Sequence, residues 1–203
     1  MSEKLFPVAS ATVGPFFPTH FFGPGDHDLT FSADPAKRAR GQKIYLCGKV
    51  YEAKRVPRWN TILEIWQADA GGHFAHPNDP EFELADRNFM GWGRRATDSE
   101  GGYEFVSVMP GTYLDPLTGK TRAPHIDLTV LGSGLMRRLT TTLFFAGQPG
   151  NDADPVLSVI PDPRIRERLL LKPAQIERAP ADALAYRLDI VLQGEDETPF
   201  FAD

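Results

Sequence analysis

The chain has 203 residues, 41% hydrophobic and 11% aromatic, which is enough to bury one substantial core. Its formal charge of −5 argues against general nucleic-acid binding, and its single cysteine, Cys47, excludes an internal disulfide. The first ten residues lack a signal-peptide apolar region, and no apolar run approaches the roughly 18 residues of a membrane helix. We therefore predict a soluble, cytoplasmic protein with one domain over residues 1–203.

Residues 1–40 form an arm rich in proline and aromatic residues. Its phenylalanines include Phe16, Phe17, Phe21 and Phe22. The prolines interrupt both helices and strand ladders, so the rings need an apolar surface to lie on. Packing on the chain's own domain and packing on another chain are both open, and we expect a partner chain. Asp34 and Pro35 also predict a short helix over residues 34–40.

From Lys43 onward the hydrophobic pattern has period two, as in half-buried strands. Strands are predicted at residues 43–52, 60–69, 102–108, 125–131, 138–145 and 184–193. Asp162 as N-cap and Pro163 at the first helical position predict one late helix over "RIRERLLL". Strands separated by Gly/Pro-rich loops, without βαβ alternation, predict an all-β, antiparallel β-sandwich. Functional residues are then expected in the long loops 68–80 and 110–124.

His125 and Asp127 open one predicted strand and, two residues apart, share a face on which both could bind a metal ion. Other possible ligands lie on the two long loops: Asp69, His73, His76, Asp79, Tyr113 and Asp115. None of them has the close spacing of a zinc site, and one cysteine excludes a thiolate cluster. "LGSGL" (131–135) does not match the G-x-S-x-G pattern of a serine-hydrolase nucleophile elbow. Ile126, Leu128 and Val130 should face the core.

Several motifs, in order along nearly the whole chain, resemble the intradiol ring-cleaving dioxygenases. They are "ATVGPFF" (11–17), "LEIWQADAGGHF" (63–74), "RRATDSEGGYEF" (94–105), "PGTY" (110–113), "RAPHIDLTV" (122–130) and "IVLQGEDETPFF" (190–201). The resemblance implies a β-sandwich whose competent members hold non-haem Fe(III) with two tyrosinates and two histidines. It also implies cleavage of a catechol ring by O2 between the two hydroxyl-bearing carbons.

The resemblance places only part of this ligand set in the chain. Phe74 stands at the first tyrosine position and has no oxygen, while Tyr113 matches the second, with Thr112 as the alternative under a one-residue shift. His125 matches the first histidine, and Asp127 replaces the second. We therefore expect these positions to be vestigial and this chain to bind no iron.

The resemblance further implies that this chain is the alpha type of a heteromeric enzyme, with Fe(III) held by a homologous beta chain. Thr12, Gly14 and Pro15 match the stretch that lines the partner's active site, where the implied substrate is 3,4-dihydroxybenzoate and the product 3-carboxy-cis,cis-muconate. Ser133 replaces an expected arginine that would face the substrate carboxylate. Arg137 and Arg138 follow Ser133 by a few residues, and Arg122, just before "APH", matches a substrate-side arginine of competent chains.

Two alternatives remain open. The chain could be a self-sufficient, catechol-type intradiol dioxygenase that holds iron through Tyr113, His125, Asp127 and either His73 or His76. It could also be a non-enzymatic binding sandwich, because the fold alone does not determine the function.

Overall fold

A computed structural model describes residues 17–31 and 37–201. Within these ranges the chain is mostly β, as predicted, with eleven strands and one short α-helix, α1 (Pro163–Glu167). The strands are β1 (Lys43–Tyr51), β2 (Thr61–Trp66), β3 (Trp92–Ala96), β4 (Gly102–Val108), β5 (Tyr113–Leu114), β6 (Thr121–Arg122), β7 (His125–Gly132), β8 (Leu139–Phe145), β9 (Leu170–Pro173), β10 (Leu184–Arg187) and β11 (Ile190–Val191). Four 3-10 turns lie at Thr19–Phe21, Ala53–Arg55, Phe82–Leu84 and Asn151–Ala153.

The strands pair in the order β11-β1-β10-β9-β8-β7-β2-β3, with β4 also paired to β1, while β5 and β6 form a separate hairpin. The prediction of a purely antiparallel sheet was wrong. β1 is parallel to both β10 and β11, and β8 is parallel to β9. Parallel neighbours need a long crossover, and residues 146–169, which include α1, connect β8 to β9.

The face of β7 that the hydrophobic alternation predicts to be buried is the face that packs into the core. Ile126, Leu128 and Val130 are at most 2% exposed, so the prediction that they face the core is confirmed. β1 departs from the half-buried pattern, because Tyr45 and Cys47 on its other face are buried as well. On that face the Tyr45 hydroxyl donates to Glu104 at 2.6 Å, and the Arg178 guanidinium lies 3.6 Å from the same carboxylate.

Residues 17–31 pack against this chain's own sheet. Leu29 is fully buried, and the Arg94 N–H donates to the Asp26 carbonyl at 2.7 Å. The Arg94 guanidinium lies 3.8 Å above the Phe21 ring and donates to the Phe21 carbonyl at 2.8 Å. Packing of the arm on a partner chain stays a prediction. Of the helix predicted at 34–40, the described part, residues 37–40, is irregular.

The late helix begins as predicted. The Asp162 carboxylate accepts the Arg164 backbone N–H at 2.9 Å, and Pro163 occupies the first turn. The helix is shorter than the apolar run suggests, because Leu170 pairs with Phe144 in the parallel β8–β9 ladder. Among the described residues, no helix has the length and apolar character needed to span a membrane.

Candidate functional site

Two glycines bring the two long loops into backbone contact. A Cβ at Gly72, whose φ is +87°, would lie 2.2 Å from the Thr112 carbonyl oxygen, and a Cβ at Gly111 would lie 2.5 Å from the Gly72 nitrogen. The Gly111 N–H also donates to the Asp69 carbonyl at 2.8 Å. Only residues without a side chain allow this approach. This contact between the loops places Phe74, two residues after Gly72, beside Tyr113.

Four aromatic side chains form a continuous ring cluster at this crossing. Trp66 stacks nearly parallel to Phe74, with ring centroids 5.9 Å apart. Phe74 meets Tyr113 edge to face at 5.1 Å, and Tyr113 contacts His125 at 5.6 Å. The structure therefore brings three of the sequence-predicted positions together. Thr112 is exposed, so Tyr113 is the residue whose side chain enters this cluster.

His125 is buried and has a defined hydrogen-bonding arrangement. Its Nδ1 lies 2.6 Å from the Ala123 carbonyl oxygen, which can only accept, so Nδ1 carries the proton. Nε2 then presents its lone pair to the Tyr113 hydroxyl at 3.4 Å. Burial lowers the pKa of His125 from its usual value, partly offset by the charge of Asp127. The imidazole is thus neutral at neutral pH.

Tyr113 faces this lone pair as a protonated phenol. Burial raises its pKa to about 12, and the negative charge of Asp127 adds to the effect while Arg122 opposes it. The tyrosine therefore donates to His125 Nε2 at neutral pH.

These residues do not fit a ferric centre with four protein donors. Tyr113 and His125 offer one oxygen and one nitrogen, and Phe74 offers no donor atom. The Asp127 carboxylate accepts the Thr142 hydroxyl at 2.8 Å. Within the described residues, no group of three or more His, Cys, Asp or Glu side chains is arranged to hold a metal ion.

The carboxylates proposed as further ligands hold the loops in shape. Asp69 accepts the N–H groups of Gly71, His73 and Asp86. Asp79 accepts those of Phe74 and Glu81, and Asp115 accepts that of Leu117. The two loop histidines are also engaged: His73 Nδ1 lies 3.2 Å from Glu81 Oε2, and His76 meets the Trp66 ring edge-on at 6.0 Å.

The predicted basic residues lie in two different places. Arg122, cross-strand from Tyr113, donates through Nε to the fully buried Asp154 at 3.0 Å, and its Nη2 is buried without a hydrogen-bond partner. Arg137 and Arg138 are exposed in the loop between β7 and β8. The carbonyl of Ser133, in the same loop, accepts from Arg58.

The ring cluster opens onto a cavity of about 540 Å³. Its lining comprises Trp66, Gly72, Phe74, His76, Asn78, Asp79, Pro80, Glu81, Tyr113, Leu114 and Pro116. This volume is within the range of small-molecule sites. Sequence analysis did not select Trp66, Thr142 or Asp154, although the alternation in β2 places Trp66 outside the core. Thr12, Gly14 and Pro15 lie outside the described residues.

Comparison with known proteins gives the same class as the sequence motifs. The family model described as "Dioxygenase" matches residues 12–194. The chain is 25% identical to the dioxygenase domain of a dioxygenase carbohydrate-binding protein fusion from Streptomyces sp. SirexAA-E, with a TM-score of 0.59, covering 92% of this chain and 98% of that one. The fold is also similar to 3-chlorocatechol 1,2-dioxygenase from Rhodococcus opacus 1CP, at 22% identity and a TM-score of 0.61, over 91% and 72% of the two chains. This chain belongs to the intradiol ring-cleaving dioxygenase family.

Its relatives within the family include both chain types of one enzyme. It is 36% identical to the protocatechuate 3,4-dioxygenase beta chain of Burkholderia cepacia, over 91% of this chain and 79% of that one. It is 31% identical to the alpha chain from the same organism, over 95% of each. Identity to the Pseudomonas putida alpha chain is 34%, over 80% and 77%.

Proposed function

We propose that this chain is the alpha subunit of a heteromeric protocatechuate 3,4-dioxygenase, and that a homologous beta chain holds the non-haem Fe(III). The observation that carries this proposal is the incomplete donor set, in which Phe74 replaces a phenol and Asp127 replaces an imidazole. Similarity to both alpha and beta chains supports a pair of homologous subunits. Residues 1–203 then form one domain, with the arm 1–40 directed to the partner.

The proposed reaction converts 3,4-dihydroxybenzoate and O2 to 3-carboxy-cis,cis-muconate. The ring bond between the hydroxyl-bearing carbons breaks, and each of these carbons gains one oxygen atom. The beta chain's Fe(III) supplies activation of the diol and O2. This chain's part is to enclose the substrate and exclude water. We assign that role to Thr12 as a hydroxyl group, Gly14 as a point of close backbone approach and Pro15 as a rigid turn.

A cation at the mouth of the shared site would attract the substrate carboxylate. Ser133 has no charge, and its backbone carbonyl is engaged by Arg58. Arg137, exposed four residues later in the same loop, is the cation we propose for this role. An Arg137→Ala variant of the assembled enzyme should raise KM for 3,4-dihydroxybenzoate more than it lowers kcat. Equal KM values in the variant and the parent would exclude this assignment.

The test of subunit identity is expression of the chain alone and together with a beta chain. Iron and the visible charge-transfer band of a tyrosinate–Fe(III) pair should be present only in the co-expressed complex, at one iron per pair of chains. Stoichiometric iron in the chain alone, lost on His125→Ala, would instead establish the self-sufficient dioxygenase. If the chain does not co-purify with the beta chain and binds no iron, the reading as a separate binding module would be favoured.

The arm provides a second test of assembly. Phe17 already stacks on Phe21 of its own chain at 6.2 Å, and Phe16 precedes it in sequence. If these rings also anchor the partner, the double Phe16→Ala, Phe17→Ala variant should weaken assembly with the beta chain by about 1–3 kcal/mol. Sedimentation at several concentrations measures this change. An unchanged association constant would contradict the proposed interface.

A further inference from the structure

The cavity beside the ring cluster has an apolar, aromatic wall. Phe74, Tyr113 and Trp66 line it, and Trp66 keeps 37% exposure although it stacks on Phe74. Part of its indole therefore remains available to a ligand. Such a wall favours a planar ring, which can stack on the indole or meet a neighbouring edge.

The rim of the same cavity is acidic. The two oxygens of Asp79 accept the N–H groups of Phe74 and Glu81, at 3.0 Å and 2.7 Å. Glu81 adds a second carboxylate, whose side chain is 62% exposed. No lysine or arginine is among the described residues that line the cavity. Arg122 is cross-strand from Tyr113, but its charge is offset by buried Asp154.

We propose that this cavity binds small aromatic amines without a metal ion. The ring packs against Trp66 and Phe74, and the ammonium group faces Asp79 and Glu81. An aromatic cation gains both from the carboxylates and from the π faces. The same two carboxylates repel a benzoate-type anion. The cavity thus prefers the charge opposite to that of 3,4-dihydroxybenzoate, the substrate proposed for the shared site.

This inference rests on one part of the proposed function, namely that the chain holds no iron at Tyr113 and His125. Iron analysis of the same protein sample tests that part separately from ligand binding. Failure of the ligand-binding proposal can therefore be distinguished from failure of the proposed function.

The experiment compares three probes of one size and different charge: benzylamine, benzyl alcohol and benzoate. Each is titrated into the full chain at neutral pH, and the indole N–H signal of Trp66 is followed by NMR, assigned with Trp66→Phe. Benzylamine should bind most tightly and benzoate most weakly, with a difference on the order of ten-fold in Kd at low salt. The difference should shrink at high salt.

Two carboxylates two residues apart supply the matched variants. Glu81→Gln should reduce the preference for benzylamine over benzoate to about three-fold or less. Glu83→Gln removes an equal charge that is 80% exposed and outside the cavity lining, so it should keep the preference. Trp66→Ala, which has no indole signal at this position and is therefore followed by isothermal titration calorimetry, should weaken the binding of all three probes. Tighter binding of benzoate than of benzylamine would overturn the proposal and would indicate that Arg122 sets the charge preference of the cavity. The absence of a saturable shift with benzylamine would also overturn it.

Discussion

The Tyr113 hydroxyl oxygen lies 3.4 Å from His125 Nε2, so the two side chains meet in a direct phenol–imidazole contact. Phe74 packs edge to face on the same tyrosine, with ring centroids 5.1 Å apart. The remaining position, Asp127, is hydrogen-bonded to Thr142 on the neighbouring strand. The site therefore consists of a ring cluster with one phenol–imidazole contact.

Restoring the two missing donors should restore iron binding. The double variant Phe74→Tyr, Asp127→His would supply two phenols and two imidazoles, a set that suits ferric iron. We expect the variant to take up close to one iron per chain and to show a visible charge-transfer band, whereas each single variant stays nearly iron-free. Metal analysis and absorption spectroscopy provide the measurement. A folded double variant without iron would contradict the view that these are former ligand positions.

The crossing of the two long loops should depend on glycine at position 72. Gly72→Ala introduces a Cβ into a left-handed backbone and within 2.2 Å of the Thr112 carbonyl oxygen, so it should cost about 2–4 kcal/mol of unfolding free energy. Gly119 is the matched control: its φ is +64°, but nothing lies within 4 Å of its Cβ position. Gly119→Ala should cost about 1 kcal/mol. Equal urea midpoints for the two variants would contradict the steric argument.

The sequence predicts the elements whose pattern is local. Period-two alternation places β4 at residues 102–108, as found, and the buried face of β7 follows the same rule. The glycine motifs in "GGHF" and "PGTY" mark the loops that carry the ring cluster. The motif resemblance also identifies Phe74, Tyr113 and His125, which the structure places in one ring cluster.

Elements formed by distant pairing could not be predicted from local pattern. The β3 segment "WGRRA" has no apolar alternation, and it becomes a strand by pairing with β2, where Arg94 meets Glu64. The parallel contacts of β1 depend on β10 and β11, more than 130 residues later in the chain. Trp66 lies opposite Asp127 only because of the β2–β7 register, which no local signal specifies.

Arg94 should be the main anchor of the described part of the arm. It donates to Glu64 at 2.7 Å and to the Phe21 carbonyl, and its guanidinium covers the Phe21 ring. Only 17% of the Arg94 side chain is exposed, so these contacts are largely shielded from water. Arg94→Ala should therefore lower the unfolding free energy by about 2 kcal/mol. It should also speed hydrogen exchange over residues 17–31.

Arg87 provides the control for this prediction. It pairs with Glu83 and lies over the Phe82 ring, but its side chain is 66% exposed. Arg87→Ala should therefore change the unfolding free energy by no more than about 0.5 kcal/mol. Unchanged exchange over residues 17–31 in Arg94→Ala would show that other contacts hold the arm.

His125 should make the isolated chain less stable in mild acid. Because burial lowers its pKa in the folded state, the unfolded chain binds the proton more readily. Stability is therefore full above the unfolded value of about 6.5 and falls as the pH decreases from there toward the folded pKa, by at most about 1.4 kcal/mol per pH unit. His125→Gln should flatten the dependence of unfolding free energy on pH between about 7 and 5. Urea titrations across this range provide the measurement, and an equal slope in parent and His125→Gln would show that the buried imidazole does not control acid stability.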